Sequence, residues 1–302
     1  MAGTVASVLD RMVERVEEAS TLDALGQRLS ELVASAVRPA AVTDALSGTW
    51  LGHPLHPVLV AVPIGSWIGA GVLDVGGGAG SAVAARRLIG LGLVAALPTA
   101  ASGASDWTTT LGAERRVGMA HAAANWSAIA CYGLSWLARA RRTTGLAKGL
   151  AAAGAGLIAV GGYLGGHLSY AQGVGVDTTA FRTGPREWTA VVPVADIAEQ
   201  ALSAAPVGEV SVLLARDGER VRALDNRCTH RGGPLADGER KDGCVVCPWH
   251  ASIFRLDDGS VVHGPASRPQ PCYETRTIDG QLEVRRPEAR ALRTNPVGAG
   301  SD

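Results

Sequence analysis

Cys228-Thr-His230 and Cys247-Pro-Trp-His250 stand in the C-terminal third of the chain, with sixteen residues between His230 and Cys247. Each short segment offers one thiolate and one imidazole. Two thiolates and two imidazoles can hold two sulfide-bridged irons, with both Cys on one iron and both His on the other. The imidazoles are neutral where thiolates would be anionic, so such a cluster carries less negative charge and is easier to reduce. The same donors also make a zinc set. Zinc fingers keep their Cys in one pair and their His in another, whereas here each segment supplies one of each. Ala223-Leu-Asp-Asn-Arg227 precedes the first segment, and Arg231-Gly-Gly-Pro-Leu235 follows it.

Four further histidines, His53, His56, His121 and His167, fall in a stretch nearly free of charge. An imidazole inside an apolar helix bundle commonly binds metal or carries protons. A pair on facing helices is a usual way to hold haem axially. By position, His121 and His167 are the first candidates for haem b and His56 is next, with Asn125 one turn after His121 on the same face. Interfacial or merely hydrogen-bonded imidazoles are the alternative.

These donors must be positioned by two different kinds of chain. The 302 residues suggest about two domains. Net charge is zero, so no broad field favours nucleic acid. Residues 1–50 read as amphipathic helix. Val5, Val8, Leu9, Met12, Val13 and Val16 recur at helical spacing, followed by Leu22, Leu25, Leu29, Leu32 and Val33. This stripe is expected on another helix or on the membrane surface. His53-Pro-Leu-His-Pro57 then opens four apolar runs, about 58–78, 88–105, 117–138 and 149–168. Each is near the ~20 residues a membrane span needs. Gly65-x-x-x-Gly69, Gly161-x-x-x-Gly165 and Gly162-x-x-x-Gly166 permit close helix contact or make room for a flat cofactor. An up-and-down arrangement puts all four histidines at the end from which the C-terminal part emerges. Arg86, Arg87, Arg139, Arg141, Arg142 and Lys148 gather at the other end, which leans towards the cytoplasm. The polar N-terminus carries no secretory signal.

The C-terminal part resembles the ferredoxin-like Rieske domain from about Trp188 to Arg286. The ligand motif carries the resemblance, and Gly264-Pro265-Ala266 looks like the proline loop that covers the cluster. The resemblance implies three small antiparallel sheets with the cluster at the tip. Short β-rich runs at 210–215, 221–224, 245–247 and 252–256, separated by Asp-Gly signals, agree with it. By the same resemblance, Cys228, His230, Cys247 and His250 ligate the [2Fe-2S] cluster, with Ser252 and Pro265 beside it. Rieske proteins of quinol-oxidising complexes carry a disulfide between the two ligand loops. Gly233 and Trp249 stand in those places here. Phe254 replaces a Tyr that would hydrogen-bond a sulfur. A potential in the lower or middle part of the ~ −150 to +300 mV Rieske range follows. No stretch resembles the mononuclear iron site of the Rieske oxygenases. Residues from about His53 to Val176 resemble a bacterial family of four-span membrane proteins of unknown function. The features are His53-Pro-Leu-His-Pro57, Gly103-x-x-Asp106-Trp107, His121-x-x-x-Asn125 and Leu164-Gly-Gly-His167.

The expected fold is therefore α+β in two domains, an all-α four-helix transmembrane bundle and an all-β Rieske domain. The expected boundaries are an N-terminal helical segment 1–50, a membrane domain 51–176, a linker 177–187, the Rieske domain 188–286 and a disordered tail 287–302. The expected function is electron transfer between the cluster and a soluble ferredoxin or reductase, or a quinone. Quinone or metal reduction and redox sensing are the alternatives. The expected location is the cell membrane, with lipid around the helices. The missing staple and missing signal favour a cytoplasmic cluster, while the basic loops favour the opposite side.

Overall fold

The computed structural model describes residues 2–78, 80–141 and 143–287. The chain forms two compact units, Met1–Val176 and Asp177–Asp302. Of the tail expected at 287–302, all but Pro287 lies outside the described residues, as does Arg142.

The first unit is helical. Three helices, α1 (Ala2–Glu18), α2 (Asp23–Val37) and α3 (Ala40–Ser47), precede the apolar part. There follow a short α4 (His56–Leu59), then α5 (Ala61–Gly76), α6 (Ser81–Trp107), α7 (Gly112–Ala140) and α8 (Thr144–Tyr170). Among the described residues, three stretches are long and apolar enough to cross a membrane: His56–Gly76, Ser81–Trp107 and Thr144–Tyr170. The four apolar runs of the sequence predict one more. The difference is α7, which is 29 residues long but carries Glu114, Arg115 and Arg116 in its first turns and Arg139 in its last. His121, Asn125, Ser127 and Ser135 lie between them.

Packing in this unit reverses the pattern of a water-soluble core. Large apolar side chains such as Ile68, Val72, Leu91, Val94, Leu97 and Leu134 are exposed. Small ones such as Ala70, Ala85, Ser102, Ala128 and Ser135 are buried. That distribution suits lipid outside, with close van der Waals contact between helices inside. Several of these contacts seat a large side chain at a glycine of a neighbouring helix. A Cβ on Gly92 would stand 2.3 Å from the Trp67 indole nitrogen, and one on Gly90 would stand 3.0 Å from that of Trp136. Trp67 also stacks on Tyr132, with centroids 4.3 Å apart and planes 10° from parallel. Along α7, Tyr132, Asn125 and His121 meet Gly154, Gly161 and Gly165 of α8, where added Cβ atoms would lie 2.9, 2.7 and 3.1 Å away. The two sets share the same spacing in opposite directions, which is the register of two antiparallel helices. Gly161-x-x-x-Gly165 therefore seats two polar side chains of α7. Gly65 and Gly162 have open space instead.

The N-terminal segment is part of this unit. α1 packs on α7, and α2 on α6 and α7. The leucine stripe of α2 faces outward, with Leu25, Leu29 and Leu32 exposed, while Gly26 and Ser30 are buried. The reason is close approach: a Cβ on Gly26 would lie 2.9 Å from the Met119 sulfur.

The second unit is all-β. One sheet runs β1 (Thr189–Pro193), β10 (Gln281–Arg285), β9 (Cys272–Ile278), β4 (Arg220–Asp225), β3 (Val210–Asp217), β2 (Leu202–Val207). The other runs β5 (Glu239–Lys241), β6 (Cys244–Val246), β7 (Ile253–Arg255), β8 (Val261–His263). All named pairings are antiparallel. The resemblance implies three sheets, but β9 merges two of them. It pairs with β4 at Tyr273 and Cys272, then with β10 from Glu274 onward. The turns Asp242-Gly243 and Asp279-Gly280 have positive φ at both residues, which the tight hairpin turn demands and Asp-Gly tolerates. Leu213, Leu224, Leu235, Val245, Phe254 and Leu256 form a core that includes both candidate thiols, Cys228 and Cys247. Residues 177–187, expected as a linker, pack on this unit. Thr178 donates to Thr229 O and Cys228 O, and Arg182 pairs with Asp225.

Candidate metal centre

Two loops carry the four candidate donors. The first leaves β4, and the second joins β6 to β7. In the first, Cys228 N donates to Gly233 O at 2.9 Å, and Gly232 N donates to Cys228 O at 2.8 Å. In the second, Cys247 N donates to Ser252 O at 2.8 Å, and Ala251 N donates to Cys247 O at 3.1 Å. Ala251 stands at φ 57°, in the left-handed region that favours glycine. These bonds curl each loop so that its Cys and His point to one side.

The side chains meet across the loops. The His230 and His250 rings lie 5.2 Å apart at 88°. Their Nδ1 atoms are buried and have no hydrogen-bond partner. Cys228 and Cys247 are 1% and 3% exposed. A hydrogen bond between the two sulfurs pushes the Cys228 thiol up and draws Cys247 down to about 6. Burial adds to the rise at Cys228, and the backbone N–H groups of Trp249 and His250 add to the fall at Cys247. Burial, then His250 and Arg231, lowers His230 to about 3. Burial and Arg231 also lower His250. The neutral imidazoles and the Cys247 thiolate are forms that metal requires, and Cys228 would release its proton to the metal on binding.

The donor set fits a two-iron cluster. A buried ring nitrogen without a partner costs free energy that a metal bond would offset. Among the described residues, no three His, Cys, Asp or Glu side chains converge on a point that would hold a single ion. A tetrahedral zinc site requires such a point. A cluster spreads its donors over two irons and does not.

Other side chains hold the loops. Ser252 accepts from Ala266 N at 3.0 Å, which ties the second loop to the Pro265 loop. Gly233 lies against the second loop, where a Cβ would be 3.0 Å from Cys247 Sγ and 3.1 Å from the Trp249 ring. The half-exposed Trp249 thus covers the place where the resemblance puts a disulfide. The motif reading misses Gln270. Its amide nitrogen donates to Asp225 O at 2.6 Å and to Arg227 O at 2.7 Å, and its oxygen accepts from Thr229 N at 3.1 Å. The flanking Pro269 and Pro271 are the signal that could have found it, since they fix the backbone around a buried amide. Cys244 is buried in β6, and Cys272 lies at the start of β9, its thiol pushed up to about 11 by burial.

Of the membrane histidines, the structure brings together His56 and His121, with ring centroids 6.4 Å apart. His121 and His167, the first candidates by position, are not paired. His167 Nε2 lies 2.9 Å from Glu17 Oε1 of α1, so its face turns to the N-terminal helix. His53 is exposed.

A surface network contributes to the acid response of the β unit. Asp217 takes hydrogen bonds from Arg240 and Arg222, which hold it below the usual carboxylate range. Arg222 does the same for Asp257. Folded-state values below the unfolded ~3.9 mean that this stabilisation is complete above that pH and is lost as pH falls through the folded value. Between about pH 5 and about pH 2, the unfolding midpoint of Asp217→Asn should therefore fall less than that of the unaltered chain. Near-UV circular dichroism of the full chain in detergent reads this. Equal falls would remove the network from the acid response.

The comparisons with known proteins agree with this geometry. Residues 187–274 match the family described as Rieske [2Fe-2S] domain. Residues 52–178 match the family described as Predicted membrane protein (DUF2231). The anthranilate 1,2-dioxygenase ferredoxin subunit of Burkholderia cepacia is 30% identical over 98 residues, covering 32% of this chain and 91% of that protein. The chloroplastic choline monooxygenase of Spinacia oleracea is 42% identical over 65 residues, covering 21% of this chain but only 15% of that protein. Among solved structures, the ferredoxin of carbazole 1,9a-dioxygenase from Nocardioides aromaticivorans IC177 aligns at 22% identity over 33% of this chain and 98% of that one, with a TM-score of 0.32. At that score the likeness carries no argument. Donor loops, buried thiols and the match to a whole ferredoxin subunit converge: the chain belongs to the Rieske [2Fe-2S] proteins, with its Rieske domain joined to a DUF2231 membrane domain.

Proposed function

We propose that this chain is a membrane-tethered one-electron carrier. In this reading Cys228 and Cys247 hold one iron, and His230 and His250 hold the other through Nδ1. The observation that carries it is the pair of buried, partnerless Nδ1 atoms beside two buried sulfurs. When bound, the cluster supplies a one-electron redox couple. The loops exclude water from the sulfurs, and Gln270 and Ser252 hold the loops in place. The Ser252 oxygen accepts from Ala266, so its own hydroxyl proton stays available to a sulfur. Phe254 offers no such proton, which keeps the potential in the lower or middle part of the Rieske range. The partner is a soluble ferredoxin or reductase, or a membrane quinone. The likeness to a protein named as a ferredoxin subunit supports the former. Purified protein should contain about two irons and two sulfides per chain and, once reduced, give the low-average-g EPR signal of mixed His/Cys ligation. One zinc per chain in place of iron would defeat the reading.

The cluster unit faces the cytoplasm in this proposal. Apart from the two cluster donors, Cys131, Cys244 and Cys272 are free of disulfides, which suits a reducing compartment. A protease added to intact cells should leave a C-terminal tag uncut and should cut it after lysis. Cutting in intact cells would put the cluster outside.

A further inference from the structure

The helical unit holds a second pair of imidazoles that the cluster reading leaves unused. His56 Nδ1 lies 2.9 Å from Thr99 O on α6, and His121 Nδ1 lies 2.8 Å from Gly161 O on α8. The seats are alike. One turn beyond each carbonyl stands a glycine, Gly103 or Gly165. Cβ atoms there would come within 2.8 Å of the His56 ring and 3.1 Å of the His121 ring. Each ring is thus set into a notch on a neighbouring helix, with Nδ1–H donated to backbone. That bond fixes the tautomer and leaves Nε2 with the lone pair, the usual support given to a metal-binding imidazole. His121 Nε2 takes a long contact of 3.2 Å from Asn125 Nδ2, which also donates to His121 O at 2.8 Å. Asn125 can give up the first and keep the second.

We propose that His56 and His121 are the axial ligands of a b-type haem in the helical unit. Two arguments select haem over a bare ion. The first is donor count. Zinc takes three or four protein donors, and no third one converges here among the described residues. Haem iron brings its in-plane nitrogens with it and asks the protein only for axial donors. The second is spacing. Imidazole bonds of about 2.0–2.1 Å on both sides of one metal leave the ring centres roughly 6 Å apart, and they stand 6.4 Å apart at 74°. The only redox step is gain or loss of one electron at iron, exchanged with a one-electron partner such as the cluster. No bond is made or broken. This inference deepens the electron-carrier reading by naming a second centre, and its test separates the two.

The full chain is expressed with added 5-aminolaevulinate, purified in detergent and examined by optical spectroscopy, pyridine haemochrome assay and EPR of the reduced cluster. The expected result is a Soret band with about one haem per chain. His56→Ala and His121→Ala should each lower haem at least tenfold while the cluster EPR signal persists, which shows that the chain is folded. His167→Ala should keep the haem. His121→Met should retain part of it with a shifted band, because sulfur replaces nitrogen at the iron. A full cluster signal with no Soret band would overturn the proposal and leave the Rieske reading intact. So would haem that survives His56→Ala with His121→Ala, or copper or zinc without haem that is lost in the same variants.

Discussion

Cys228→Ser should leave the β unit without its cluster and lower its stability by more than about 4 kcal/mol, the range in which loss of a bound metal group falls. Few other contacts in this unit can match that loss. The two donor loops belong to different sheets, one leaving β4 and the other joining β6 to β7. Gln270 secures the first loop and Ser252 the second, and each works within its own surroundings. Across the gap there remain the rings of His230 and His250 and the lean of Trp249 over Gly233. Without irons, the two buried Nδ1 atoms stay partnerless and continue to cost free energy. His250→Ala should behave similarly but less severely, since it removes one of those orphans. The measurement is thermal unfolding of the full chain by near-UV circular dichroism, with iron assayed in parallel. An unchanged midpoint in iron-free Cys228→Ser would mean that the loops are held without the cluster.

The second large effect is expected at the opposite chemistry, a charge pair among apolar helices. Arg139 of α7 donates to both carboxylate oxygens of Asp74 of α5, one contact measuring 2.9 Å. Their side chains are 4% and 10% exposed. Removing one partner of a buried pair typically costs about 3–5 kcal/mol, because the other charge is left uncompensated. Asp74→Ala should therefore destabilise the helical unit by that amount, read as the unfolding midpoint in mild detergent. Replacing both partners, as in Asp74→Ala with Arg139→Leu, should recover most of the loss, since a paired deletion is often neutral. A single substitution that costs under about 1 kcal/mol, like a surface pair, would show that water reaches this site.

The four candidate donors could be picked out from the sequence because such a cluster restricts residue type at each position. Only thiolate and imidazole serve, and Cys-x-His with Cys-x-x-His states that in two short words. The inside-out packing of the helical unit was legible in part. Charge-free runs announced helices of membrane length, but α7 had to be read against its own Arg115, Arg116, His121 and Asn125. The pairing of histidines was not legible. His121 and His167 sit at comparable depth, and depth is all that an unfolded list of helices supplies. Rotation about each helix axis decided the partner. It depends on which glycine faces which large side chain, and on α1, which claims His167 through Glu17. The leucine stripe of α2, expected on another helix or on the membrane surface, faces away from α6 and α7 for a related reason. Gly26 and Ser30 let that helix approach more closely than leucine would, so the small face went inward. Gln270 escaped notice because its three bonds join residues more than forty positions apart.

Glu17 accepts from both His167, at 2.9 Å, and Gln172, at 2.7 Å. In biosynthetic terms, this contact joins the start of the helical unit to its end. At ribosomal speeds of about 5–20 residues per second, α1 emerges roughly 8–30 s before the residues that complete its binding surface. For most of that interval α1 has neither α7 nor the end of α8 to pack on, and the helical unit closes only when its last helix is made.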